Sequence, residues 1–527
     1  MKRIRRLVCS CVLTACLTLT AAFGAEAVTT DAAQAPEFDG YLVRIDPDAS
    51  VSLLSASEPD FPEMTEVYAP AGAYQVEDAD ALKALRDCGA LIDAAPNYIV
   101  TLDDAPVVSD DAQAVLLDAS ETQWYEAALG LDWVRGQGFR GQGVRVGVVD
   151  SGIFKDHEEF QGVKILEGEN YCVPKNDPDR HDVSDKYGHG TFVSGLIAAA
   201  ANGVGIVGIA PDVEIVPLKC FEGQNGSVLN IASAIYDAVD TWHCQVLNLS
   251  LGLVSDHPAL RAAIEYADEA GVVMVAAVGN AHSSGDPLNY PAAYPGVIGV
   301  GAVGSSLSVT NYSCRNESVE ICAPGGLRND LSWGASDQRL LGPSFTNPTE
   351  YARSFGTSYA SPMVTAAAAL ALSARPDLTK AEVRALLLDT VRDAGETGYD
   401  TAYGYGILHA GRLLAAATGN LAYQTEVIRA QRGQTLTLFA AAYGADGAFL
   451  AARDVSSDAD EISDETFHVA DAASWKLFQF DRAALTPAGA SVTLYGPVAD
   501  TGEDSGPGAD TGENSEPEPV TNNDKDG

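Results

Sequence analysis

Positive charge is scarce in this chain. Its 527 residues hold 32 Lys and Arg against 73 Asp and Glu, a formal net charge of -41. A nucleic-acid binder needs a basic face to replace counterions, so that class is excluded. Attraction to an anionic membrane surface is disfavoured for the same reason, and the charge keeps a soluble protein dispersed. Beyond the first residues no apolar run is long enough to cross a bilayer. No His and Cys spacing matches a zinc site, and His157 and His181 read as surface residues rather than metal ligands. Cysteine is sparse: three of the nine fall within the first 16 residues, leaving Cys88, Cys172, Cys220, Cys244, Cys314 and Cys322. If Cys88 departs with an N-terminal segment the remainder is odd, which is poor ground for a disulfide framework. Cys220 and Cys244 sit in apolar contexts as small core residues. Cys314 and Cys322 are close enough in sequence to pair, a point the sequence leaves open. None of the six has the neighbourhood of a nucleophile.

The N-terminus is basic (MKRIRR), then apolar from Leu7 to Phe23, then small at Ala25-Glu26-Ala27. This is the pattern of a secretory signal over 1–27, with no membrane span once it is removed. LTAC (13–16) also resembles a bacterial lipoprotein signal, with lipid attachment at Cys16 as the alternative; the apolar run continuing past Cys16 favours plain removal. At the other end, residues 498–527 repeat ADTGEDS and ADTGENS and carry nine acidic residues with one Lys. Such a tail cannot bury enough surface to offset the entropy of ordering. The length implies two or more domains.

Between these ends the pattern changes twice. Residues 28–120 hold two strand-like pieces, YLVRI (41–45) and NYIVTL (97–102), around a helix-like ADALKALR (79–86). From about 121 to 418, Val-rich strands such as VEIVPLK (213–219), VLNLS (246–250) and VVMVAAV (272–278) alternate with helical stretches. That alternation predicts an α/β fold, a mostly parallel sheet with helices on both faces. Residues 419–497 read as a small β-rich module of short strands.

Three short islands in the α/β region carry chemistry: VVDSG (148–152), HGT (189–191) and GTSYASP (356–362). They supply Asp150, His189 and Ser358. A serine hydroxyl is a poor nucleophile at neutral pH. It needs a base, and the base needs an anion to fix its tautomer. Asp150 ends a buried strand, where ligands of open α/β sheets bind. Ser358 precedes an alanine-rich helix, whose N-terminus favours negative charge.

These islands, in this order, closely resemble the subtilisin-like serine proteases over about residues 123–418. The resemblance implies a secreted serine endopeptidase with Asp150, His189 and Ser358 as its triad. It implies Asn280, in AVGN (277–280), as the side-chain donor of an oxyanion hole. Ser250, Leu251 and Gly252 would pair with an extended substrate backbone, and with Ala277, Val278 and Gly279 would wall the S1 pocket. Asn289 falls near the pocket floor, and Val278 would narrow the pocket, favouring a medium-sized or uncharged P1 side chain. NGVGIVGIAP (202–211) resembles a structural calcium loop, with Asn202, Val204 and Ile206 as ligands and Glu159 where relatives usually carry Asp. YGYG (403–406) with LHA (408–410) matches the segment that closes the catalytic domain by packing. Residues 28–120 would be a small α+β prodomain, an intramolecular inhibitor removed by cleavage between about Thr101 and Thr122. Catalysis would need no cofactor, substrates would be proteins or peptides, and the enzyme would be an extracellular monomer. The alternative is a catalytically inactive peptide-binding or adhesion protein on the same fold. An esterase or amidase using the same triad is disfavoured by the peptide-pairing segment.

Overall fold

The computed structural model describes residues 38–46, 64–102, 123–327, 338–432, 436–456, 462–481 and 491–496. The signal-like segment with Cys16, the window 103–122 and the repeat tail lie outside them. The chain divides into two compact units, one ending at Leu414 and one beginning at Ala415.

The first unit begins with four antiparallel strands, β1 (Phe38–Ile45), β2 (Thr65–Tyr68), β3 (Ala73–Val76) and β4 (Leu91–Thr101), in the order β2-β3-β1-β4. Helix α1 (Ala79–Asp87) starts at Asp78, whose side chain accepts from the amides of Asp80 and Ala81, a standard N-cap. Alternation along β1 sends Val43 and Ile45 into a small core with Tyr74, Val76 and Leu85.

Two short helices follow, α2 (Trp124–Leu129) and α3 (Leu131–Gly136). The main sheet is then built from β5 (Arg145–Asp150), β6 (Lys164–Ile165), β7 (Glu169–Asn170), β8 (Glu214–Lys219), β11 (Val246–Leu249), β12 (Val273–Ala277), β13 (Val297–Val303) and β14 (Ile321–Pro324). Its order is β14-β13-β12-β11-β5-β8-β6, with β7 beside β8, and every pairing is parallel. Parallel sheets need cover on both faces, and the strands accordingly carry almost unbroken runs of buried Val, Ile, Leu and Ala. The cover comes from α4 (His189–Ala198), α5 (Val228–Asp240), α6 (Pro258–Glu269), α7 (Thr357–Ala374) and α8 (Lys380–Asp389). Chain order runs one way from β5 to β8 and the other way from β11 to β14. The crevice beyond the carboxyl ends of β5, β11 and β12 is therefore the switch point where such sheets bind ligands. A short pair, β9 (Phe221–Glu222) and β10 (Asn225–Ser227), projects from the end of β8 and extends the N-terminal sheet beyond β4. An antiparallel hairpin, β15 (Leu340–Pro343) with β16 (Tyr351–Ser354), precedes α7. The segment 403–408 packs on β14, with Tyr405 N bonded to Glu320 O and Leu408 N to Cys322 O, each at 2.8 Å.

Helix α9 (Ala410–Thr418) spans the division. The second unit has α10 (Leu421–Arg432) and the antiparallel strands β17 (Leu436–Tyr443), β18 (Phe449–Asp454), β19 (Ser474–Asp481) and β20 (Val492–Leu494), in the order β18-β17-β19-β20. The reading of short strands from 421 onward misses α10. Leu421 and Ile428, two helical turns apart, lie on one face and are buried with Leu438, Trp475 and Leu477.

Candidate active site

Asp150 is the last residue of β5, and His189 is the first of α4. The His189 Nδ1 lies 2.8 and 2.9 Å from the two Asp150 carboxylate oxygens, with both side chains 1% exposed. A carboxylate can only accept, so Nδ1 carries the proton and Nε2 is the basic nitrogen. The approach depends on glycine. A Cβ on Gly190 would overlap the Gly152 carbonyl, and Gly152 itself has φ +108°. The imidazole centroid is 5.3 Å from the ring of Tyr359, the residue after Ser358.

A second carboxylate organises this corner. Asp185 Oδ1 accepts from Ser151 Oγ (2.9 Å), Tyr187 N (2.9 Å) and Gly188 N (2.8 Å), while Oδ2 accepts from Thr191 N (2.9 Å) and Thr191 Oγ1 (2.6 Å). Ser151 Oγ in turn accepts from Gly190 N at 2.9 Å. One buried side chain thus ties the residue after Asp150 to the turn that presents His189. Sequence reasoning passed over it; the signal was an Asp four residues before the His.

Ser358 lies in the first turn of α7, behind Gly356, whose φ of +148° suits glycine alone. Pro362 lies in the same helix four residues on. It has no N–H, so the Ser358 carbonyl loses its helical partner. Ser250 Oγ donates to that carbonyl at 2.7 Å, from just past the end of β11. Asn248 Nδ2 donates to Ser250 Oγ (2.8 Å), and Asn248 Oδ1 accepts from Thr365 Oγ1 (2.9 Å) and Ser361 Oγ (3.2 Å). A buried polar chain thus fastens the helix carrying Ser358 to the sheet.

Asn280 follows β12. Its Oδ1 accepts from both Thr357 N and Thr357 Oγ1, each at 2.9 Å. With the oxygen so held, the amide nitrogen is the end that can serve as a donor. Ser358, Asn280, Ser250, Leu251, Gly252, Ala277, Gly279 and Asn289 line one cavity of about 340 Å³. Val278 does not line it. The side chain is fully buried and meets Gly299 of β13 instead, because alternate residues along β12 and its extension face opposite sides of the sheet. The expected narrowing by Val278 is therefore corrected. Asn289 is the residue that fills space here: a Cβ on Gly252 would overlap its carboxamide, and its Nδ2 donates to Ala277 O at 3.1 Å.

The same cavity is lined by residues 98–102 of the N-terminal sheet. The end of β4 pairs antiparallel with β10, Ile99 opposite Ser227, Val100 opposite Gly226 and Thr101 opposite Asn225. Leu102 N then donates to Gln224 O (2.9 Å), and Tyr187 Oη donates to Leu102 O (3.2 Å). Val100 and Leu102 are buried while Ile99 and Thr101 are exposed, the alternation of a strand seated in a groove. Residues 224–227 were not singled out in the sequence; their polar, glycine-containing run between two apolar segments was the available sign.

At the C-terminal end of α4, where Ala200 N donates to its carbonyl (2.7 Å), Glu159 is fully buried. One carboxyl oxygen accepts from Ile206 N at 2.6 Å, and the other has no hydrogen-bond partner. Burial pushes its pKa up to about 8. Asn202 Oδ1 accepts from Val204 N (3.1 Å) and its Nδ2 donates to Glu158 O (3.0 Å). Among the described residues no group of three or more His, Cys, Asp or Glu side chains could hold a metal ion. A hard cation here would have one carboxylate, one amide oxygen and loop carbonyls as donors. The unpartnered Glu159 oxygen fits that chemistry. His157 is corrected from surface to core: it is fully buried, its Nε2 2.8 Å from Glu350 O and its Nδ1 accepting from Glu159 N. His181 is exposed. The six described cysteines are free thiols, Cys314 and Cys322 included. Burial pushes Cys172 up to about 11 and Cys244 up to about 12, which keeps both protonated at neutral pH.

The subtilase family profile matches residues 141–406. Subtilisin DY of Bacillus licheniformis is 35% identical over 288 residues, covering 53% of this chain and 93% of its own length. A thermostable alkaline protease of Halalkalibacterium halodurans is 31% identical over 310 residues, covering 59% and 78%. The minor extracellular protease Epr of Bacillus subtilis is 31% identical over 303 residues, covering 56% and 43%. Among solved structures, fervidolysin of Fervidobacterium pennivorans, a keratinolytic enzyme related to subtilisin, superposes with a TM-score of 0.59 at 22% identity, over 84% of this chain and 71% of its own. The epidermin leader peptide processing serine protease of Staphylococcus aureus gives a TM-score of 0.59 at 20% identity, over 72% and 99%. At these identities the structural matches speak to the fold.

Proposed function

The chain belongs to the subtilase family and is a serine endopeptidase, and we propose that it is secreted as a latent precursor and cleaves peptide bonds with Asp150, His189 and Ser358. The observation that carries the catalytic assignment is the buried Asp150–His189 pair, whose imidazole lies 5.3 Å from the ring of Tyr359, the residue after Ser358 in the first turn of α7. Ser358 Oγ attacks the peptide carbonyl carbon as His189 Nε2 takes its proton. Asp150 keeps the imidazole in the right tautomer and stabilises the imidazolium. The oxyanion is received by the Asn280 side-chain amide and the Ser358 N–H. Collapse of the tetrahedral intermediate breaks the C–N bond, and His189 returns the proton to the leaving amine. Water, activated by the same His189, then hydrolyses the acyl-enzyme.

The N-terminal sheet supports the latency. Its strand β4 occupies the edge offered by β10, where an extended substrate would pair, and its end lines the cavity with Ser358. Secretion is supported by the signal-like N-terminus and by a relative named as extracellular. A structural calcium held by Glu159, Asn202 and the carbonyls of Val204 and Ile206 would supply positive charge to a buried carboxylate and stiffen that loop. The test expresses the chain from Val28, wild type beside Ser358→Ala, and follows the mass of each with time. Loss of an N-terminal segment by cleavage between 101 and 122 in the wild type alone, with casein hydrolysis, supports the reading. Two intact, inactive proteins would refute it.

A further inference from the structure

Residues 96–98 of β4 touch the first turns of two helices at once. Asn97, 1% exposed, accepts at its Oδ1 from Leu229 N of α5 (3.0 Å). The Pro96 carbonyl lies 2.9 Å from His257 Nε2, and the Tyr98 ring stands edge-on to the same imidazole, centroids 5.9 Å apart. His257 is the N-cap of α6, and its Nδ1 accepts from Ala259 N at 3.2 Å. With Nδ1 an acceptor, the hydrogen of the neutral ring is on Nε2, which donates to Pro96 O. One nitrogen caps the helix and the other holds the N-terminal sheet, with the side chain fully buried between them.

The charged ring cannot do both. A hydrogen on Nδ1 would face the N–H of Ala259, so the imidazolium has to give up the cap. Among the described residues no carboxylate hydrogen-bonds the ring to offset that loss. Asp93 of β4 favours the charged form across space, but its carboxylate is engaged by Arg44 Nε at 2.9 Å. Asp256, just before the ring in sequence, accepts from Arg261 Nε (3.2 Å) and Tyr294 Oη (2.9 Å). Tyr294, the other polar neighbour, meets only the His257 backbone, its Oη accepting from His257 N at 3.0 Å. Burial lowers the His257 pKa by more than the Pro96 carbonyl and Asp93 raise it. Departure of β4 would uncover the ring and lift that penalty.

We propose that His257 is an acid-sensitive latch for the N-terminal sheet: neutral, it holds β4 on the catalytic domain through Pro96; protonated, it lets go, so acid releases the strand that lines the Ser358 cavity. The proposal rests on the latency reading above and adds the signal that ends it. The sign follows from linkage. The ring's pKa is lower with β4 docked than with it gone, so the hold is complete above the ordinary value of about 6.5 and is lost as pH falls below it. One proton weakens the docked state by up to about tenfold per pH unit.

The test uses the full chain with Ser358→Ala, which stays intact whether or not the chain is a protease. Amide hydrogen exchange at residues 99–102, corrected for its intrinsic pH dependence, should report at least about fivefold more opening at pH 5.5 than at pH 7.5. His257→Gln in the same background keeps a donor and an acceptor and cannot ionise, so its opening should change less than about twofold. No rise in the first protein, or the same rise in both, would overturn the latch. If His257→Gln fails to fold, the ring is titrated in the Ser358→Ala chain by the slow exchange of its Cε1 proton. A midpoint below about 6.5 supports the latch, and one at or above that value overturns it. Wild type that has cleaved itself at pH 7.5 separates the two readings. A brief exposure to pH 5.5 should bring forward its casein hydrolysis on return to pH 7.5. Hydrolysis without that lead overturns the latch alone; no hydrolysis under any condition refutes the protease reading and the latch's part in latency with it.

Discussion

Ser250 Oγ donates to the Ser358 carbonyl at 2.7 Å, in place of the N–H that Pro362 lacks. An unpartnered buried carbonyl costs about 1–3 kcal/mol. Ser250→Ala should therefore lower the melting temperature by several degrees and reduce kcat, since the orphaned carbonyl belongs to Ser358, the proposed nucleophile. Ser250→Thr, which keeps the hydroxyl, should recover most of both. The double variant Ser250→Ala with Pro362→Ala restores a helical N–H and should be more stable than the sum of the single changes predicts. Strict additivity in thermal melts would show that the bond is incidental.

Thr357 presents Asn280 by holding its oxygen with two donors. Asn280→Ala should lower kcat by about 10²–10³ with KM little changed, because the donor acts on the transition state. Thr357→Val removes one of the two tethers and should cost about tenfold in kcat. A larger change in KM than in kcat for either variant would move Asn280 from transition-state stabilisation to ground-state binding.

The Asp185 network predicts a positioning defect. Asp185→Asn replaces an acceptor of five hydrogen bonds with a side chain that can accept at only one of its two ends. Peptidase kcat should fall tenfold or more, and the acidic limb of the pH–rate profile should shift as the His189–Asp150 geometry loosens. Asp185→Ala should also lower thermal stability. An unchanged pH profile with reduced stability would leave Asp185 a purely structural residue.

Much of the candidate site was legible because its chemistry imposes local backbone demands. Gly152, Gly188, Gly190 and Gly356 stand where side chains would clash or where φ is positive, and they bracket the Asp, His and Ser in short recognisable islands. The α/β fold was legible in Val-rich strands alternating with helices. What stayed hidden depends on residues far apart in sequence. His157 is buried because Glu350, 193 residues away, offers it a carbonyl. Val278 points away from the cavity because strand alternation, not its place in a motif, sets its direction. Gln224 to Ser227 become a docking edge only once β4 arrives, more than 120 residues earlier in the chain. Helix α10 was missed because half of its twelve residues are polar or charged and its core contact rests on Leu421 and Ile428, too sparse a repeat to mark a helical face.

Leu102 offers a test of latency. It is 5% exposed, with its N–H on Gln224 and its carbonyl on Tyr187 Oη. Leu102→Asp would bury an unpaired carboxylate and should unseat the strand end. The uncleaved precursor should then react with a serine-directed fluorophosphonate at least tenfold faster than wild type. Equal labelling rates would mean that this strand is not what blocks Ser358.

Glu159 should make stability depend on pH and, through the proposed cation site, on calcium. Its folded pKa of about 8 lies above the ordinary 4.5, so the fold favours the protonated form. The contribution is fully present below about pH 4.5 and is lost as pH rises toward 8. His157 works the other way: burial lowers its pKa, so its contribution is present above about 6.5 and is lost as pH falls below it. The Glu159 effect must therefore be read as the difference from Glu159→Gln, which keeps the shape and cannot ionise. In a chelator the wild-type melting temperature, relative to that variant, should fall between pH 5 and pH 8, each pKa unit being worth about 1.4 kcal/mol. A bound cation prefers the ionised carboxylate, so millimolar calcium should reverse the fall at pH 8 in the wild type and do little in Glu159→Gln. If calcium raises both proteins equally, it binds elsewhere. If the relative melting temperature is flat with pH, Glu159 is not held neutral by its burial.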